Sequence, residues 1–273
     1  MKIRTLPPLY AILAAALALA TPAGAQQLLF LDNFNAPDAA SFDAAPLTGR
    51  LSGSVAGTEA VLRSWGTQEQ INNNQLLLPV GTDSGVRWEN AAGPFGATNR
   101  YNWAAGTTGA SILAAGGFSV SFDWFPVNNI STNWVSFQVG TVNADSGNLT
   151  NDDYGILFRQ NGNTERFDNG VNLGAGGTFD ATPAGVPRSI RIDYLFSSFA
   201  DGATVNAISR VNGVQVASDI FTWDSNGGAM YMELGHNDAG NRVDNLMVST
   251  IPEPSSAALF ALCALGLAAR RRR

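Results

Sequence analysis

Apolar and polar residues alternate one by one through much of the chain beyond residue 75, the period of a strand that buries one face. Across 118–124 one side reads Phe118, Val120, Phe122 and Trp124, and the other Ser119, Ser121 and Asp123. Val135, Phe137 and Val139 alternate with Ser136 and Gln138; Ile190, Ile192, Tyr194 and Phe196 alternate with Arg191, Asp193 and Leu195. Asn212-Gly213 separates two further segments, 204–211 and 214–221, and supplies the positive φ angles that a two-residue hairpin requires. Strands are also predicted at 75–78, 86–89, 154–160, 229–234 and 242–248. Helical spacing is hard to find, and no segment repeats. The pattern predicts an all-β fold, an antiparallel β-sandwich spanning 26–250.

Both ends break this pattern. Lys2 and Arg4 precede an apolar run over 9–20, and Thr21-Pro22-Ala23-Gly24-Ala25 places small residues at Ala23 and Ala25, where a signal peptidase reads. Residues 1–25 therefore read as a secretory signal peptide cleaved after Ala25. About a dozen apolar residues fall short of a bilayer core of roughly 30 Å, so a permanent N-terminal anchor is the poorer reading. At the other end, 257–269 are small or apolar and are followed at once by Arg270, Arg271, Arg272 and Arg273. As a helix this stretch rises about 20 Å, a marginal anchor whose arginines stay on the cytoplasmic side. It predicts a transient hold in the inner membrane. Pro252 and Pro254 keep the preceding segment extended and open to a processing enzyme.

Ile251-Pro252-Glu253-Pro254-Ser255-Ser256, the apolar stretch and the arginine run together resemble the PEP-CTERM sorting domain of Gram-negative bacteria, over 251–273. The resemblance implies processing by an exosortase at Pro252-Glu253-Pro254. It also implies export to the cell surface or extracellular matrix, in association with exopolysaccharide or biofilm matrix. The sandwich carries a second, looser resemblance. Phe30-Leu-Asp-Asn-Phe34, the Asn-Gly hairpin, Leu234-Gly235 and the closing run 242–248 resemble the concanavalin A-like, laminin-G-like jelly roll. In that fold the first and last strands run side by side.

Composition narrows the chemistry. Residues 26–250 hold 21 Asp and Glu against ten Arg and no Lys, a net charge near −11. With no basic cluster, such a surface repels a phosphate backbone, which excludes nucleic acid as a partner. The single cysteine, Cys263, lies in the apolar tail, so no disulfide framework is available. His236 is the single histidine, which leaves nothing to build a zinc site with, and its setting in Gly235-His236-Asn237-Asp238 predicts a surface loop. Glycoside hydrolysis needs two carboxyl groups flanking the bond. The Glu-x-Asp-x-x-Glu strand motif of jelly-roll hydrolases is absent; Glu165 and Asp168 come nearest, in what reads as a turn. No catalytic residue is assigned, and the alternative function is a carbohydrate-active enzyme with carboxylates on separate strands.

Two groups suit calcium as a structural ion, because hard cations take carboxylate and carbonyl oxygens. One is the Asp/Asn/Gly-rich stretch 145–153 with Asp145, Asp152 and Asp153; the other is Asp32 and Asp244, on terminal strands that the jelly-roll resemblance makes neighbours. Asx turns and strand capping are the competing roles for all of them. Of six tryptophans, Trp124 falls on a core face, while Trp88, Trp103, Trp134 and Trp223 stand near polar or Gly-rich positions and are candidates for stacking on sugar rings, with a core or rim position the commoner role for any one of them.

Overall fold

The computed structural model describes residues 26–251 apart from 36, 41–51, 55–59, 65–68, 79–83, 95, 97–98, 128–132, 141–152, 182, 225–226 and 238–239. The expected signal peptide with Ala23 and Ala25, the segment Pro252-Glu253-Pro254, the tail helix with Arg270 to Arg273, and Asp145 and Asp152 lie outside the described residues. Among the described residues, no helix is long and apolar enough to cross a membrane.

Strands run in chain order as β1 (Leu28–Asp32), β2 (Ser52–Ser54), β3 (Ala60–Ser64), β4 (Gln70–Asn72), β5 (Gln75–Leu78) and β6 (Ser84–Asn90). A helix α1 (Gly106–Ala114) precedes β7 (Gly117–Phe125), β8 (Trp134–Gly140), β9 (Tyr154–Arg159), β10 (Asn163–Asp168) and β11 (Val171–Thr178). The chain then forms β12 (Arg188–Leu195), β13 (Thr204–Val211), β14 (Val214–Thr222), β15 (Tyr231–Asn237) and β16 (Asn241–Thr250). All pairings are antiparallel and fall into two sheets. One runs β14-β13-β12-β7-β16-β1-β2, with β5 added beside β16 and β4 beside β5; the other runs β11-β10-β9-β8-β15-β6-β3. The first and last strands pair, Phe30 with Val248 and Leu31 with Met247, as the jelly-roll resemblance implies.

The alternation fills the space between the sheets. Phe118, Val120, Phe122, Trp124, Ile190, Ile192 and Tyr194 from the nine-stranded sheet meet Val135, Phe137, Val139, Tyr154, Ile156 and Phe158 from the other. Phe118 stacks on Tyr194 with ring centres 4.8 Å apart, and Tyr154 crosses the gap to stack on Phe221 at 5.0 Å. The Tyr154 hydroxyl donates to Asp219 Oδ2 at 2.8 Å, and Arg166 binds the same carboxylate, so β9, β10 and β14 are tied together. Burial, with the Asp219 charge second, holds the Tyr154 phenol well above its ordinary pKa. The hairpin turn forms as predicted, with Asn212 at φ 50° and Gly213 at φ 80°.

The periodicity missed α1, which is built from Gly, Thr, Ala and Ser with a buried side of Thr108, Gly109 and Ile112. A Cβ at Gly109 would lie 2.1 Å from the Ala104 carbonyl oxygen, so the glycine that weakens helix propensity is what lets the chain pack there. It also missed β10 and β11. β11 is exposed along nearly its whole length and shows no alternation.

Candidate functional site

The outward face of the seven-stranded sheet carries the polar chemistry. On β6, Val86 and Trp88 point to the core, so Arg87 and Glu89 point away; on β15, Met232 and Leu234 leave Glu233 outward, in register with Arg87. On β8 the same parity turns Trp134, Ser136 and Gln138 outward. Outward does not mean exposed here, for every residue of β8 is buried. The connection from β6 to α1 runs beside β6, where Tyr101 N donates to Trp88 O and Trp103 N to Met230 O, each at 2.9 Å.

That connection is held by charge. Arg87 Nε donates to Glu89 Oε1 at 2.7 Å, and Gly96 N donates to Glu89 Oε2 at 3.3 Å. Arg100 Nη2 donates to Glu233 Oε2 at 3.2 Å, and its guanidinium carbon stands 5.2 Å from the centre of the Tyr231 ring. Asn90 Nδ2 donates to the backbone oxygens of Asn99 and Arg100, and Asn99 Nδ2 returns a bond to Asn90 O. Asn102 Oδ1 accepts from Ala104 N and Met230 N. Beside this frame opens a pocket of about 610 Å³, lined by Asn90, Ala91, Ala92, Arg100, Tyr101 and Asn102 together with the start of α1.

Farther along the same face is an apolar cluster. Trp134 packs with Leu157 of β9 and Phe167 of β10. It stands in register with Arg159, whose guanidinium grips Glu165 in two bonds of 2.9 and 2.7 Å. Glu165 and Asp168 thus lie on a strand and not in a turn, and Glu165 is committed to an arginine. Asp168 is pushed up in pKa, by partial burial first.

Three of the four tryptophans proposed for sugar contact are core residues. Trp88 meets Phe30, Trp103 and Phe137 edge to face, and Trp223 meets Phe196 and Phe221 at 5.3 Å each. Trp103 is wedged between Trp88 and Tyr101. Polar sequence neighbours suggested exposure, yet those of Trp88 on β6 point to the opposite face, and Trp103 and Trp223 lie outside the strands, where alternation carries no signal. Trp134 alone of the four lies outside the main core, at 8 % exposure.

His236 is likewise corrected. It sits on β15 with the parity of Leu234, opposite Val135, and is fully buried. Its Nε2 is 3.8 Å from Glu69 Oε1, and Glu69 in turn accepts from the Ser64 hydroxyl. Glu69 thus contacts both the Ser64 hydroxyl and the His236 imidazole.

The terminal-strand aspartates are neighbours, as expected, and each accepts a hydrogen bond from nearby backbone. Asp32 is buried and its Oδ1 accepts from Phe34 N at 3.0 Å, a local turn. Asp244 stands opposite Asp123, and its Oδ1 accepts from Asn245 N at 2.7 Å. Asp153, at the start of β9, is buried. Among the described residues, no group of three or more carboxylate, histidine or cysteine side chains is arranged to hold a metal ion.

Asp244 instead pays an electrostatic penalty. Burial first, then the Asp123 and Asp32 charges, raise its pKa above the ordinary 3.8, while the Asn245 amide opposes the shift. A carboxyl with a raised folded-state pKa binds its proton more tightly folded than unfolded. Stability therefore grows as pH falls through the raised value, and the gain is complete once pH passes below 3.8. Asp244→Asn keeps the Oδ1 acceptor and removes the charge. Its urea midpoint should exceed the parent's at pH 7, and the two should converge below pH 3.8; an equal gain at both pH values would contradict the electrostatic cause.

A family model for the PEP-CTERM protein-sorting motif matches residues 250–273. The chain is an antiparallel β-sandwich that carries, at its C terminus, the mark of an exported protein processed there. No curated protein matches the sequence. Among solved structures, the chain is similar to the Emp46p carbohydrate recognition domain in its potassium-bound form, at 10 % identity and TM-score 0.47, covering 70 % of this chain and 88 % of that one. It is also similar to lectin II from Ulex europaeus, at 9 % identity and TM-score 0.40, covering 78 % and 97 %. A legume lectin-like domain from Entamoeba histolytica is similar at 9 % identity and TM-score 0.42, covering 71 % and 90 %. These are distant likenesses of backbone arrangement.

Proposed function

We propose that this protein is a non-catalytic component of the cell surface or extracellular matrix of a Gram-negative bacterium, released from a transient membrane hold by an exosortase and associated there with exopolysaccharide. The observation that carries the reading is the sorting motif at 250–273 joined directly to the last strand of a sandwich, which makes the sandwich the cargo. The outward face of the seven-stranded sheet supports a carbohydrate partner. Phe167, half-buried and backed by the buried Trp134 and Leu157, provides apolar surface for the C–H face of a sugar, and the Arg159–Glu165 fork beside it suits hydroxyl groups. A net charge near −11 disfavours an acidic polymer, so the partner is a neutral polysaccharide.

Purified sandwich passed over immobilised neutral exopolysaccharide from the producing strain should be retained, and Trp134→Ala should reduce retention. Passage of the parent domain without delay would remove the binding part of the reading. One observation favours a second reading, a carbohydrate-active enzyme: Glu89 and Glu233 lie on adjacent strands and share the outward face. Both are held by arginines, which favours a structural role. Appearance of new reducing ends on incubation with the polysaccharide, abolished by Glu233→Gln, would decide for the enzyme.

A further inference from the structure

The sorting motif and the sandwich overlap in the chain. β16 runs to Thr250, the residue at which the motif begins. Val248, Ser249 and Thr250 are buried, Thr250 pairs with Phe118, and Ile251 N donates to Gly117 O at 3.2 Å. The next residue is Pro252, which has no N–H to continue the ladder. No linker therefore separates the last hydrogen-bonded residue of the domain from the Pro-Glu-Pro segment. β16 is also not an edge strand: it lies between β7 and β1.

Enzymes that process a chain commonly take it as an extended segment, with several residues on each side of the reacting bond. Here the residues on the N-terminal side are bound to the sheet: Ser249 is paired on both sides, with Ser119 and Leu28, and Thr250 and Ile251 are held on the β7 side. The same strand holds the two ends of the domain together, because Leu28 pairs with Ser249. The nine-stranded sheet cannot close without β16, which lies between β7 and β1, and pairing over such a separation in sequence is slow.

We infer that docking of the end of β16 brakes the processing step: the tail is processed rapidly while Ser249–Ile251 are out of the sheet and slowly once they are in it. This rests on the reading that the tail is processed at Pro252-Glu253-Pro254. Folding of the sandwich and processing are then competing events on one short segment. The order in which they occur sets how long the protein stays at the membrane.

The test follows the full chain in the producing bacterium by pulse-chase. Six Gly and Ser residues inserted between Ile251 and Pro252 move the motif away from the sheet and leave β16 intact. The unprocessed form should then disappear several-fold faster, whereas an unchanged rate would overturn the brake. Val248→Ala, which loosens the end of β16, should speed processing of the parent chain and do nothing to the chain with the insertion. Equal acceleration of both would also overturn it; should the substituted chain fail to fold, the insertion alone decides. Substitution of Pro252, Glu253 and Pro254 together by Ala should stop processing in either chain. Normal processing of that variant, or none in the parent, would strike the underlying reading, and the brake with it.

Discussion

Arg188→Ala should lower the unfolding free energy of the sandwich by about 3 kcal/mol, within the range of a large-to-small change in a packed interior. Arg188 opens β12 in register with Trp124, and its guanidinium carbon lies 5.2 Å from the centre of the Trp124 ring and 5.0 Å from that of Phe179. Its Nη2 donates to Gln160 O at 3.3 Å. Next to it runs a chain of buried amides: Trp124 Nε1 and Gln160 Nε2 both donate to Asn241 Oδ1, at 3.1 and 2.7 Å, and Asn133 Nδ2 donates to Gln160 Oε1 at 3.3 Å. Burial lowers the Arg188 pKa to about 10, so the group remains a cation at neutral pH and its desolvation offsets part of what the two rings return. The alanine variant relieves that desolvation but leaves a slot between two rings. Arg188→Met fills most of the slot without charge and should lose no more than about 1 kcal/mol, the scale of a near-isosteric core change. Urea unfolding of the two variants separates volume from charge. A loss by the alanine variant no larger than that by the methionine variant would show that filling the slot is not what matters.

Arg188 also marks where sequence reading stops. The strand at 118–124 was legible because four large apolar residues alternate with Ser, Ser and Asp, and the structure buries those four. The Asn212-Gly213 hairpin was legible because few residue pairs tolerate two positive φ angles in succession. Trp88 was not placed because period two tells which residues share a face and not which face meets the core, and Trp223 because it lies just past the end of β14. His236 was misread because β15 extends through it to Asn237, past the Leu-Gly pair that looked like a strand end. β11 could not be read at all: a strand exposed on both sides has no alternation to show. The candidate site suffered most. Glu233 finds Arg100 across 133 positions of sequence, and Arg100 reaches it from a connection and not from a strand. Such a partnership exists only after the sheets have assembled, so no local pattern records it.

Glu233→Ala should therefore be among the costliest single changes, at about 3–5 kcal/mol, the usual result of removing one member of a buried ion pair. Arg100 binds Glu233 directly, so a buried guanidinium group loses its anion. Arg87, in register with Glu233 on the neighbouring strand, keeps its own partner in Glu89, which also accepts from Gly96 N. Replacing Arg100 by Met in the same chain removes the stranded cation and should recover part of the loss. A double-mutant cycle on urea midpoints measures the coupling; additive losses would mean that the pair contributes through packing alone. The two single variants also bear on function, because Arg100 lines the pocket of about 610 Å³ and its pairing with Glu233 pins the β6–α1 connection to the sheet. If polysaccharide binds through Trp134, Leu157 and Phe167, retention should survive Arg100→Met in the folded protein. If it binds through the pocket, the same variant should lose retention while its fold is intact, which assigns the ligand to one of the two zones of the face.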